Sequence, residues 1–255
     1  QIAQGMGGMR SVTGLPGQGP VRVGTAVADL SSGLYCAIGI LIALLEREAS
    51  GEGQWVHTSL LEAQVSMLDF QAARWLIGHE VPPQAGNNHP TSIPTGVYPC
   101  SDGHFNIAAG GQDMFERLCR SLGADEIANN PDYATGKLRQ QHRDALNAEI
   151  AAYTKEKTSA EWIEQFNRDG VPCGPIYTMD QVFEDPQVRH LGLAAPVHSP
   201  TLGDIDVVGQ AVNMSRAPRD IRTATPALGE HTDEILAGLG YDAERIAAFR
   251  DAAVV

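Results

Sequence analysis

Positive charge is scarce in this chain, cysteine is scarcer still, and no apolar run is long. Its 255 residues carry 18 Lys and Arg against 31 Asp and Glu, a formal charge of −13. Such a balance repels nucleic-acid phosphate and anionic lipid unless a local basic patch overrides it. The densest basic stretch, "KLRQQHR" at 137–143, lies on an amphipathic helical pattern with acids on either side. It reads as a solvated helix face, so no nucleic acid is expected as a partner.

The four cysteines, at 36, 100, 119 and 173, show no C-x-x-C spacing, and no two histidines stand at i, i+4. Neither a metal site nor a disulfide framework is expected. Two of the cysteines fall in apolar helical patterns, where a buried reduced thiol is usual, which fits a cytoplasmic protein. The longest apolar run, 34–45 with Gly39 inside it, is shorter than the roughly 20 residues of a membrane helix and reads as a buried core helix. No membrane association is expected. A basic n-region and a cleavage site are both missing, so no signal peptide is expected, and "QIAQGMGGMRSVTG" opens like the middle of a longer chain.

What is present is a chain of one or two domains with an ordinary 43% of apolar residues. Residues 1–28 are rich in Gly and Pro, but no G-K-[ST] follows and Pro16 and Pro20 break any nest of backbone donors, so a phosphate loop is set aside. From 30 to 49 the pattern is helical and apolar on nearly every side, which predicts burial all round. A weak alternation in "QWVHTSLL" predicts a short strand, and 62–78 returns to helical periodicity with Met67, Phe70, Trp75 and Leu76 as core candidates. The long polar loop 81–96 marks a boundary.

"VYPCSDGHFNIAAG" then predicts a hairpin about an Asp-Gly turn, and "AAGGQ" at 108–112 a βα turn into a helix at 112–122 that Gly123 closes. Further helices are expected at 138–155, 159–168 and 179–184, the last two opened by the capping boxes Thr158 with Glu161 and Thr178 with Gln181. "GVPCGPI" between them reads as a rigid turn. A second β-pair within 194–212 and two short C-terminal helices complete the pattern.

One carboxylate stands out. Asp29 lies where the apolar helix begins, which suits an N-cap. The same place suits a nucleophile, because a helix start favours negative charge and the neighbours Ala26, Val27, Ala28 and Gly33 leave room for a substrate. Ser31 and Ser32 do not form a G-x-S-x-G elbow. His57, His79, His89 and His104 have no carboxylate at a fixed spacing, so none is a candidate base. From the residues themselves the cap and the nucleophile both stand.

The string "RVGTAVADLSSGLYCAIGILIALLEREASGEGQWVHTSLLEA" resembles the family III CoA-transferases, which include formyl-CoA transferase and carnitine CoA-transferase. The likeness continues through "GNNHPTSIPTGVYPCSDGHFNIAAGGQDMFERLCRSLG" and "VPCGPIYTMDQVFEDPQV" to "PALGEHTDEILAGLGY". In that family the Asp of a D-x-x-x-G segment ahead of the long helix is the nucleophile, and the matching residue is Asp29, with Gly33 in step. The resemblance implies attack of Asp29 on an acyl-CoA thioester, a mixed anhydride, an aspartyl-CoA thioester, and transfer to an acceptor acid. It implies that a loop matching 87–96 helps keep water out. It places Leu60 beside CoA, and makes CoA and acyl-CoA substrates, with no permanently bound cofactor.

The implied fold is α/β. Residues 1–85 belong to a large Rossmann-like α/β domain, 86–195 to a smaller α+β domain, and 196–255 return to the large one. The family's nucleotide-binding-like N-terminal region, which supplies most CoA contacts, has no match in the chain, so a separate or missing N-terminal half is a further implied partner. Relatives form interlocked homodimers. Two other readings remain: an α-methylacyl-CoA racemase-like enzyme using the same Asp as acid and base, and an inactive fragment or subunit needing a partner with the nucleotide-binding half.

Overall fold

A computed structural model describes all 255 residues and divides them into two compact units, Gln1–Ile176 and Tyr177–Val255. The first unit opens with helices α1 (Ile2–Met6), α2 (Met9–Val12), α3 (Val27–Ser50), α4 (Leu60–Ser66) and α5 (Phe70–Leu76). The hairpin β1 (Thr95–Cys100) and β2 (Gly103–Ala108) follows, then α6 (Gln112–Leu122), α7 (Asp125–Ala128), α8 (Gly136–Gln141), α9 (Arg143–Thr154), α10 (Ser159–Asp169) and β3 (Cys173–Pro175). The three strands form one antiparallel sheet in the order β1-β2-β3.

The core of this unit lies entirely within 93–171. In α6, Phe115, Leu118, Cys119 and Leu122 repeat at helical spacing and are all buried, while Gly123 at φ +68° ends the helix in the left-handed region. In α10 the Thr158–Glu161 capping box fixes the start, Trp162 and Phe166 face inward one turn apart, and Gly170 at φ +73° closes the end. The hairpin buries Tyr98, Cys100, Phe105 and Ile107 in alternation against these helices.

The hairpin turn is pinned to α10 by Asp102. Its Oδ1 accepts from Ser159 N–H at 2.7 Å and from the Cys100 thiol at 3.1 Å, and its Oδ2 accepts from the Ser159 hydroxyl at 3.2 Å. These bonds, the thiol's first and the Ser159 amide's second, hold the carboxyl below its ordinary 3.8. The stabilisation is therefore present above pH 3.8 and is lost as pH falls through the lower folded value. Asp102→Asn should melt below wild type at neutral pH, with a gap that narrows once pH drops under 3.8; a gap that does not change with pH contradicts this.

The second unit holds α11 (Met179–Glu184), α12 (Pro186–His190), the antiparallel pair β4 (Ala194–Ser199) and β5 (Gly203–Val208), α13 (Thr232–Gly238) and α14 (Ala243–Asp251). The Thr178–Gln181 capping box is formed as the sequence implied.

Four expectations are corrected. α3 is apolar as read but not buried: only Ala28 and Ser31 are, and just 11% of its most apolar stretch is covered. Its 24 residues, with an 18-residue stretch of mean hydropathy 1.9, also meet the length and composition of a membrane span, which the shorter run at 34–45 concealed. Burial follows from what packs on a helix, and α4, which packs against α3, leaves most of its length exposed. The 62–78 periodicity breaks into α4 and α5 because Asp69 takes φ +48°, and Met67, Phe70, Trp75 and Leu76 stay exposed. "QWVHTSLL" forms no strand, since no neighbour offers it a ladder, and Ser59 caps α4 instead. "GVPCGPI" supplies β3, pairing with β2 from Phe105 to Ile107.

Candidate active site

Asp29 sits in the first turn of α3, three residues past the N-cap position, which Ala26 holds. The helix starts earlier than the sequence implied because the backbone already winds at Val27, with Leu30 N–H donating to the Ala26 carbonyl at 2.9 Å. Asp29 is exposed, and no side chain caps this helix. The carboxylate is thus free of the duty that competed with catalysis, while the unpaired amides of the first turn still favour negative charge there.

The turn that carries Asp29 takes part in the little burial found in the first 92 residues. Six of them are buried, Gln4, Gly7, Ala28, Ser31, Ala63 and Gln64, and they come from α1, α3, α4 and the residue closing α1. The Ser31 hydroxyl donates to the Val27 carbonyl at 2.7 Å, bracing the turn from within. A hydroxyl buried and committed to backbone is not a nucleophile. Gln64 is wholly buried with neither amide atom hydrogen-bonded, and a Cβ on Gly7 would come within 2.7 Å of its Cγ, so only glycine fits there.

A largely apolar groove of about 320 Å³ runs along one face of α3, lined by Thr25, Val27, Leu30, Leu34, Ile38 and Met67 among others, and Asp29 is not part of its lining. Leu60 is the first residue of α4, the helix packed against α3, and is partly exposed. Asp29 and Leu60 therefore stand in the first turns of two neighbouring helices.

The segment 87–96 leads into β1 and is fastened from several sides. Tyr98 donates to Asn147 Oδ1 at 2.6 Å, and the Asn147 amide donates to Asn88 Oδ1 at 3.0 Å. The Ala109 amide donates to the Pro94 carbonyl at 2.8 Å. His89 Nδ1 accepts from Ser92 N–H at 2.9 Å, which leaves the ring proton on Nε2 in the neutral form. Its ring stacks on Phe70 at 5.6 Å.

Arg139 completes the fastening and corrects another expectation. It belongs to the "KLRQQHR" run read as solvated, yet it is 1% exposed. Its guanidinium donates to the carbonyls of Ile93 at 3.0 Å, Tyr133 at 3.0 Å and Gly110 at 3.3 Å and to Gln112 Oε1 at 2.9 Å, and lies 4.4 Å from the Phe115 ring centroid. Burial pulls its pKa down from the ordinary value. Carbonyl dipoles, rather than a carboxylate, balance this buried cation. The "AAGGQ" turn that it grips is the βα turn the sequence implied.

Other chemistries find no support. Burial pushes the Cys119 thiol up to about 11 and raises Cys100 and Cys173 as well, so none of the three is a ready thiolate. All four cysteines are free, and no group of His, Cys, Asp or Glu could hold a metal.

A two-unit α/β chain with a carboxylate at a braced, uncapped helix start matches CoA-transferase family III over residues 1–232. The chain belongs to that family. It is 34% identical over its whole length to human succinyl-CoA:glutarate CoA-transferase, and 36% identical over 93% of its length to succinate–glutarate CoA-transferase of Agrobacterium fabrum. Of those relatives' own lengths it spans 58% and 60%. The crystal structure of a CAIB/BAIF family protein from Brucella suis superposes with a TM-score of 0.76 at 33% identity, covering 93% of this chain and 61% of that one.

Proposed function

We propose that the whole protein moves CoA from an acyl-CoA thioester to a small carboxylic acid, with Asp29 as the nucleophile. An Asp29 oxygen attacks the thioester carbonyl, the C–S bond breaks, and CoA leaves as thiolate, giving a mixed anhydride. The thiolate attacks the aspartyl carbonyl, the donor acid departs as carboxylate, and Asp29 becomes an aspartyl-CoA thioester. The acceptor carboxylate attacks that carbonyl, again freeing the thiolate. Attack of the thiolate on the acceptor's acyl carbon releases the new thioester and restores Asp29. No net proton, electron or water is consumed.

The observation that carries this reading is the placement of Asp29: exposed, without a capping duty, and in a first turn of α3 whose neighbours Ala28 and Ser31 are buried. The segment 87–96 covers the anhydride in this reading, and the bonds from Asn147, Ala109 and Arg139 keep it ordered enough to do so. Leu60 packs against CoA. Two similar relatives are named for succinate and glutarate, so dicarboxylic acids are the first acceptors to try. A homodimer accounts for the uncovered length of α3. The test is whether an acyl-CoA leaves a covalent group on the peptide that carries Asp29.

A further inference from the structure

Gln4 is 3% exposed, and both ends of its side-chain amide are used. Its Oε1 accepts from Val23 N–H at 3.1 Å and its Nε2 donates to the Thr25 carbonyl at 3.3 Å. The partners fix which end is which, since an amide hydrogen must meet oxygen and a carbonyl must meet the NH₂. One side chain, 21 residues away in sequence, thus fastens a donor and an acceptor of the short irregular segment that runs directly into Ala26 and the first turn of α3. Val21 N–H, donating to the Arg10 carbonyl at 3.3 Å, holds the same segment one step earlier.

This fastening is unusual for its surroundings. α3 is exposed along nearly all its length, and apolar contact within this chain does little to fix it. Its start is nevertheless held by a buried amide, by Ser31 from inside the turn, and by α4, which packs against α3 and on which α1 packs in turn. For a helix that only had to form, a cap at Ala26 would be the cheaper device, and there is none.

We infer that Gln4 is a positioning residue for the nucleophile: by bridging Val23 and Thr25 it sets where the first turn of α3 begins and hence where the Asp29 carboxylate stands. The inference rests on the proposed role of Asp29. Misplacement of a reacting group by about 1 Å costs on the order of 100-fold in rate. Gln4→Leu keeps the bulk and removes both bonds. Gln4→Glu keeps the shape: protonated, it reproduces the acceptor and the donor, while ionised it turns a carboxylate oxygen toward the Thr25 carbonyl.

The test is rapid-quench measurement of adduct formation on Asp29 by the whole protein at saturating acyl-CoA. In Gln4→Leu the rate constant should fall by about 10- to 100-fold with the adduct still reaching wild-type stoichiometry per folded molecule. In Gln4→Glu it should recover as pH is lowered through the carboxyl's titration, a recovery the wild type does not show. A merely structural Gln4 lowers the amount of competent protein and leaves the rate constant alone; that result overturns the inference. If Gln4→Leu does not fold, a wild-type rate constant in Gln4→Glu at every pH overturns it equally. No adduct in the wild type removes the role of Asp29 and this inference with it, whereas a wild-type adduct with unchanged rates in both variants removes this inference alone.

Discussion

Asp29→Asn should lower CoA transfer by at least about 1,000-fold while leaving the fold intact, because an amide cannot form the anhydride. The structure sharpens what the control must be. Had Asp29 been the N-cap, Asn would have been needed to preserve the cap; with Ala26 in that position, Asp29→Ala is also free of a cap penalty. Each variant loses only the favourable meeting of a negative charge with the helix start, about 0.3–1 kcal/mol. Equal, small losses of stability in Asn and Ala variants, with activity gone from both, are the expected result. A large loss of stability in Asp29→Ala alone restores the capping role, and activity retained in either variant contradicts the nucleophile.

Phe166→Ala should give the largest loss of stability, about 3–5 kcal/mol. Phe166 is fully buried, with its ring 5.1 Å from Trp162 and 6.0 Å from Phe105, so truncation opens a cavity where α10 meets the sheet. The denaturation midpoint should fall with little change in the slope against denaturant, since the same surface is exposed on unfolding. Phe166→Leu should recover part of the loss by refilling part of the volume. Asp29 lies outside this core, so adduct formation per folded molecule should be unchanged in both variants. A loss under about 1 kcal/mol in Phe166→Ala contradicts the placement of the core in 93–171.

The sequence was most legible where structure is local. The Asp-Gly hairpin, the helix closed by Gly123 and the two capping boxes are set by neighbours within a few residues, and all formed as read. It was least legible where the outcome depends on what comes to lie alongside. α3 has a core helix's composition without a core helix's cover, and α4 and α5 share one apolar period that the backbone at Asp69 divides. β3 carries no strand signal because its Gly and Pro are chosen by the β2 edge that receives it.

The candidate site divides in the same way. Asp29 was singled out by a charge beside an apolar run, and its role came from resemblance to a family, to which the chain does belong. The duty first weighed for it, the cap, depended on where the helix begins, and that is set at Ala26 by the segment Gln4 holds. Gln4 and Arg139 gave no usable sign. One sits in a Gly-rich run that reads as a turn, and the other in a basic run that reads as solvated. Their importance lies mainly in bonds to distant backbone groups, 19 residues away for Gln4 and Val23 and 46 for Arg139 and Ile93, which no local pattern displays.

The most direct measurement of the account is peptide mass spectrometry on the whole protein after turnover with an acyl-CoA, with hydroxylamine to capture the activated carboxyl. The account predicts a hydroxamate on the peptide carrying Asp29, dependent on acyl-CoA and absent from Asp29→Asn. Transfer activity with that peptide unmodified, or with the modification on another residue, contradicts it.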